Sequence, residues 1–141
     1  MRSICLDASL AVDILLATPL QERLLNLWTE WAEEPVYFVV PELFHAEVMS
    51  GIRRQMYRKQ LTPAEAELAY QELCSLTVDT VGLRELMGRV WELANQFAVS
   101  HPYDLFYLAL AEREAIECWT TDKRFANLVG GRFRQVRLVG A

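Results

Sequence analysis

No apolar run in this sequence approaches the ~20 residues that a bilayer-spanning helix requires. No C-x-x-C pair is present, and three cysteines, an odd number, cannot all pair internally. Zinc ribbons, redox dithiols and disulfide frameworks are therefore excluded. Cys5 and Cys118 lie in strand-like runs and Cys74 in a helical pattern, as reduced thiols of a cytoplasmic protein would. Positive charge is also short: 14 Lys and Arg stand against 19 Asp and Glu, a net charge of −5. That excludes a generally basic nucleic-acid-binding module. Any nucleic-acid chemistry must come from a local site, with metal ions to invert the sign of the field. Repeats, low-complexity tracts and long linkers are missing. Asp7 and Asp13 interrupt what would be the apolar core of a secretory signal, so none is expected, and the expected compartment is the cytoplasm.

What remains is an ordinary globular mixture, 52% hydrophobic and 23% charged over 141 residues, expected to form one domain spanning 1–141. A chain of this length buries roughly 68–70% of its unfolded surface. Buried strands are expected at 3–6, 36–40, 78–81, 116–120 and 136–139. Helices are expected at 9–17, 19–34, 41–60, 62–76, 83–98, 103–115 and 122–128. Pro41 is read as the opening of the third helix, whose apolar stripe is Phe44, Val48, Ile52 and Met56. Thr62-Pro63-Ala64-Glu65 is a capping box with proline at the first helical position. The second helix, with Leu20, Leu24, Leu27, Trp28 and Trp31, has more apolar positions than one face requires. A dimer interface, a partner groove or burial within the domain would use them. Apolar strands alternating with helices predict an α/β fold: a mostly parallel sheet of four to five strands covered on both faces, a three-layer arrangement. Ligand chemistry in such sheets collects at the carboxyl ends of the strands.

Four acids fall where that rule points. Asp7 and Asp122 each follow a strand at its carboxyl end, Asp104 lies in the first turn of a helix, and Glu47 sits at the edge of an apolar stripe. Singly, each has an ordinary explanation. Asp7 and Asp122 suit helix N-caps, worth about 1 kcal/mol. Asp104 suits a helix dipole, worth about 0.3–1 kcal/mol. Glu47 suits a solvated boundary. Together they suit one acidic crevice. Two like charges 4 Å apart repel by about 4 kcal/mol at an effective dielectric of 20, so at least one acid should keep its proton unless a divalent cation is present. All-oxygen donors with no Cys or His cluster select Mg²⁺ or Mn²⁺. His45 is read as structural, because its position is turned about 200° from Glu47 on the helix; His101 is read as a loop residue.

The segments Leu6-Asp7-Ala8-Ser9, Pro41 to Val48 (PELFHAEV), Tyr103 to Ala111 (YDLFYLALA) and Thr120 to Phe125 (TTDKRF) resemble, in order, the four signature blocks of the PIN-domain family, in its VapC-like branch of toxin ribonucleases. The resemblance implies a PIN-like fold. It implies that Asp7, Glu47, Asp104 and Asp122 are catalytic metal ligands, with Ser9 and Thr120 as supporting hydroxyls. It further implies an endoribonuclease using a metal-activated water, with Mg²⁺ or Mn²⁺ as cofactor, a cognate antitoxin that blocks the crevice, and a homodimer. Thr121 stands where a small apolar residue is commoner and Leu105 where Ala often follows the third acid; neither removes an acid.

Basic residues must then hold RNA. Arg53, Arg54, Arg58 and Lys59 cluster on the helix of Glu47, and Lys123, Arg124, Arg132, Arg134 and Arg137 crowd the C-terminal portion; phosphate contacts and a solvated or partner-facing surface both suit them. Three other readings stand beside the toxin: a PIN nuclease of RNA maturation, one acting on DNA, and a catalytically silent PIN-like interaction module. A phosphoaspartyl phosphatase would need an acid where Ser9 stands, and a receiver domain an acidic pair that this chain lacks.

Overall fold

In the computed structural model, which describes residues 2–16 and 21–140, each of the first three strands is followed by a pair of helices. Strand β1 (Arg2–Leu6) leads to α1 (Ala8–Leu15) and α2 (Gln21–Glu33), then β2 (Val36–Pro41), α3 (Phe44–Tyr57) and α4 (Pro63–Ser75). There follow β3 (Asp79–Val81), α5 (Leu83–Phe97), α6 (Tyr103–Glu114), β4 (Glu117–Thr120), α7 (Lys123–Val129), a 3-10 turn (Gly130–Arg132) and β5 (Val136–Leu138). The strands form one sheet in the order β3-β2-β1-β4-β5, every pair parallel.

Burial along β1 explains the layering. Ile4, Cys5 and Leu6 are consecutive, and all are at most 1% exposed. Successive strand residues face opposite sides, so both faces of the sheet are covered there. On one face Trp31 of α2 packs edge-on against Phe38 and Trp119, at 5.6 and 5.8 Å between ring centres. The other face receives α6, whose Tyr107 carbonyl accepts a long 3.8 Å contact from the Cys5 thiol. Leu24, Leu27 and Trp31 are thus consumed by the domain's own core, while Leu25 and Trp28 stay at 55% and 37% exposed. Of the helical boundaries expected near Ala17 and Pro19, both lie outside the described residues, as does Leu20.

Pro41 does not open a helix. It is the last residue of β2, paired with Val81, and the next amide, Glu42, donates to the Val81 carbonyl at 3.0 Å. A strand can end on a residue without an N–H when its neighbour supplies the bond; α3 therefore begins three residues later, at Phe44. The capping box forms as read: the Glu65 amide donates to Thr62 Oγ1 at 3.1 Å, and the Thr62 amide to Glu65 Oε1 at 2.9 Å. Helices α5 and α6 stop at Ala98 and Ala115, both left-handed without being glycine. Where α1 crosses α3, a Cβ on Gly51 would lie 2.6 Å from Val12 Cγ2, so the close approach depends on glycine.

Candidate active site

At the carboxyl end of the sheet the backbone of Asp7 is pinned to β4, its amide donating to the Trp119 carbonyl at 3.0 Å. Asp7 occupies the N-cap position of α1, yet its side chain makes no capping bond. Instead Oδ2 accepts the hydroxyls of Ser9 and Thr120, each at 2.6 Å. The residue as a whole is only 3% exposed. Burial raises its pKa from 3.8 to about 6; the two hydroxyls oppose the shift, and Glu47 and Asp122 add to it.

Asp122 does cap its helix. Its Oδ1 accepts the amides of Arg124 and Phe125 at 2.9 and 3.2 Å, and its own amide donates to Thr120 Oγ1 at 3.0 Å. The N-cap explanation is therefore right for Asp122, in position and in use, while for Asp7 only the position fits. Asp104, in the first turn of α6, is raised to about 6 by burial and by the charges of Asp7 and Asp122, against the pull of Arg124. Glu47, in the first turn of α3, is also raised, chiefly by burial and further by Asp104; the Tyr107 phenol and Arg54 oppose this. Tyr107 donates to Glu47 Oε1 at 2.7 Å. Burial and the facing carboxylate hold its hydroxyl firmly protonated.

Asp7, Glu47, Asp104 and Asp122 line one crevice of about 290 Å³, with Ser9, Arg54 and a further acid, Asp13. Burial raises Asp13 too, against the Thr121 hydroxyl. Sequence reading passed over Asp13, noticed only as a break in an apolar run, and over Tyr107, one more apolar-looking position in α6. A wheel drawn for α6 would have placed Tyr107 three residues from Asp104 on the same face. Nothing local ties it to Glu47, 60 residues earlier.

The basic residues divide. Arg54 lines the crevice and Arg124 reaches Asp104 electrostatically. Lys123 is exposed at the start of α7, beside them in the chain. Arg53 lies over the Tyr57 ring at 5.3 Å and donates to its hydroxyl at 3.3 Å. Arg137 pairs with Glu117 at 2.7 Å, as Arg2 does at 2.6 Å, at the opposite end of β4 from the crevice. Arg58, Lys59, Arg132 and Arg134 are exposed and outside the crevice lining. His45 packs edge-on to Phe44 at 5.3 Å and His101 is exposed beside Ser100; neither lines the crevice.

Crowded, desolvated carboxylates suit a cation. All the donors are oxygen, and Asp7, Asp104 and Glu47 are shifted upward chiefly by burial and further by one another's charges, both of which a divalent ion would offset. Among the described residues no three His, Cys, Asp or Glu side chains are already gathered as a closed ligand set. A cation in this crevice would therefore be held by fewer than three protein carboxylates in the present arrangement, with water or substrate oxygens completing its shell.

A parallel five-stranded sheet with acids converging beyond its carboxyl ends puts the crevice where α/β sheets of this kind bind their ligands. The family model for the PIN domain matches residues 4–130, and the chain belongs to the PIN-domain family. Ribonuclease VapC3 of Mycobacterium tuberculosis is 30% identical over 125 residues, 89% of this chain and 86% of that protein. Two solved structures share the fold. VapC20 of M. tuberculosis, a toxin that cleaves the sarcin–ricin loop, superposes with a TM-score of 0.64 at 17% identity, covering 95% of this chain and 98% of that one. VapBC2 from Rickettsia felis, bound to a DNA fragment from its promoter, does so at 0.63 and 15%, covering 96% of each.

Proposed function

We propose that this chain is a single-domain, metal-dependent endoribonuclease, the toxin of a type II toxin–antitoxin pair, acting in the cytoplasm. The observation that carries this reading is the crevice itself: four acids from the β1–α1 junction, α3, α6 and the β4–α7 turn face one space, with Asp7 buried in a hydrogen-bond acceptor role that no helix cap explains. Asp7, Glu47, Asp104 and Asp122 would hold Mg²⁺ or Mn²⁺. Bound there, the ion would activate water and stabilise charge on the scissile phosphate. The chain's own groups do the rest. Ser9 and Thr120 fix the Asp7 carboxylate; Arg54 in the crevice lining, with Lys123 and Arg124 at the start of α7, draws the RNA backbone toward an otherwise repulsive site, while Arg53 is taken up by Tyr57.

An antitoxin partner is supported by the toxin–antitoxin complexes among the fold neighbours. An apolar groove of about 540 Å³ between α1, α2 and α4 adjoins the crevice through Asp13 and suits such a segment. A homodimer would cover the exposed Met87 and Trp91 of α5, at 54% and 74%. No helix among the described residues is long and apolar enough to cross a membrane.

The test is cleavage of total RNA by purified protein with Mg²⁺ or Mn²⁺, paired with growth on induced expression. Asp104→Asn should abolish both cleavage and growth arrest. Undiminished cleavage by Asp104→Asn protein in excess chelator would refute the mechanism. Cleavage without growth arrest would point to a nuclease of RNA maturation instead.

A further inference from the structure

Tyr107 is wholly buried, and a phenol in such a place needs a partner for its O–H. The partner it has is Glu47 Oε1, at 2.7 Å. Helix α6 therefore acts on the site twice: Asp104 lines the crevice with a carboxylate and, one turn along the same face, Tyr107 donates from behind it to Glu47. The two contacts act oppositely on Glu47. Asp104 repels it, and the phenol holds it in place. Arg54, which lines the same crevice, attracts the Glu47 carboxylate as well.

We propose that Tyr107 is a positioning residue for metal binding: its hydroxyl occupies one oxygen of Glu47, keeps the carboxylate from turning to Arg54, and leaves Oε2 as the oxygen presented to the cation. The inference rests on the metal-dependent reading above and adds a member to its machinery. Metal-ligating carboxylates held by an outer hydrogen bond typically lose 10–100-fold in affinity when that bond is removed. Tyr107→Phe removes a single oxygen atom and preserves the ring in the core.

The experiment is a Mn²⁺ titration of the full chain, followed by the paramagnetic resonance of free Mn²⁺, on wild type, Tyr107→Phe, Glu47→Gln and the double variant, with melting in chelator as a check on folding. Tyr107→Phe should bind Mn²⁺ roughly 10-fold more weakly, and the double variant no more weakly than Glu47→Gln alone. Wild-type affinity in Tyr107→Phe would overturn the inference and leave the nuclease reading standing. Absence of Mn²⁺ binding by wild type would overturn both. Should Tyr107→Phe fail to fold, the wild-type chain still answers: the shielded Tyr107 hydroxyl proton should give a slowly exchanging resonance that moves on Mg²⁺ addition, and a resonance indifferent to Mg²⁺ would overturn the proposal.

Discussion

Replacing Asp7 with Asn should make the metal-free chain more stable while disabling it. The carboxyl titrates at about 6 when folded, against 3.8 for an unperturbed aspartate. Between those values the folded chain still holds a proton that the unfolded chain has released, so stability falls as pH rises through that window. Above it the buried charge costs about 3 kcal/mol. An asparagine keeps an oxygen for the Ser9 and Thr120 hydroxyls and removes the charge. In chelator at pH 7.5 the variant should gain up to about 10 °C in melting temperature, at roughly 3–4 °C per kcal/mol for a chain of this size. At pH 4 the gap should nearly close. Added Mn²⁺ should raise the wild-type midpoint by mass action and leave the variant unmoved. The assay is a thermal melt across pH with and without Mn²⁺. An Asp7→Asn chain that is no more stable than wild type at pH 7.5, with a gap independent of pH, would refute the burial argument.

Two further outcomes follow from the geometry. Gly51→Ala gains about 1 kcal/mol of helix propensity but forces a Cβ to within 2.6 Å of Val12 Cγ2, an overlap worth about 1–3 kcal/mol; denaturant melts should show net loss, and a double-mutant cycle with Val12→Ala should show that the two positions are coupled. Arg54→Ala, made in uncleaving Asp104→Asn protein, should weaken single-stranded RNA binding and lower its salt slope by about 0.7, whereas Arg53→Ala, already engaged with Tyr57, should change neither; anisotropy titrations at several salt concentrations distinguish them.

Local pattern made most of the architecture legible. Apolar strands such as Ile4–Leu6 and the four-residue stripe of α3 announce a covered parallel sheet, because each element must bury its apolar face against a neighbour. The misreading at Pro41 came from a signal with two meanings: proline lacks the N–H that both a first helical turn and a strand's last residue can spare. The acids were legible as a set because Asp7 and Asp122 stand at strand ends, Asp104 in a first turn and Glu47 at the edge of an apolar stripe. What each side chain does was not. Asp7 and Asp122 occupy equivalent positions before a helix, yet the hydroxyls of Ser9 and Thr120 draw one away from its amides, and only three-dimensional proximity decides that. Tyr107 and Asp13 were hidden for the same reason, since their partners lie far along the chain or across a helix pair.

The double employment of Asp122 has a mechanical consequence. Its two oxygens belong to one planar group, one holding the first amides of α7 and the other left for the crevice. A ligand drawn to the free oxygen would therefore share this one carboxylate with the start of α7, and the helix would be tethered to whatever the crevice holds.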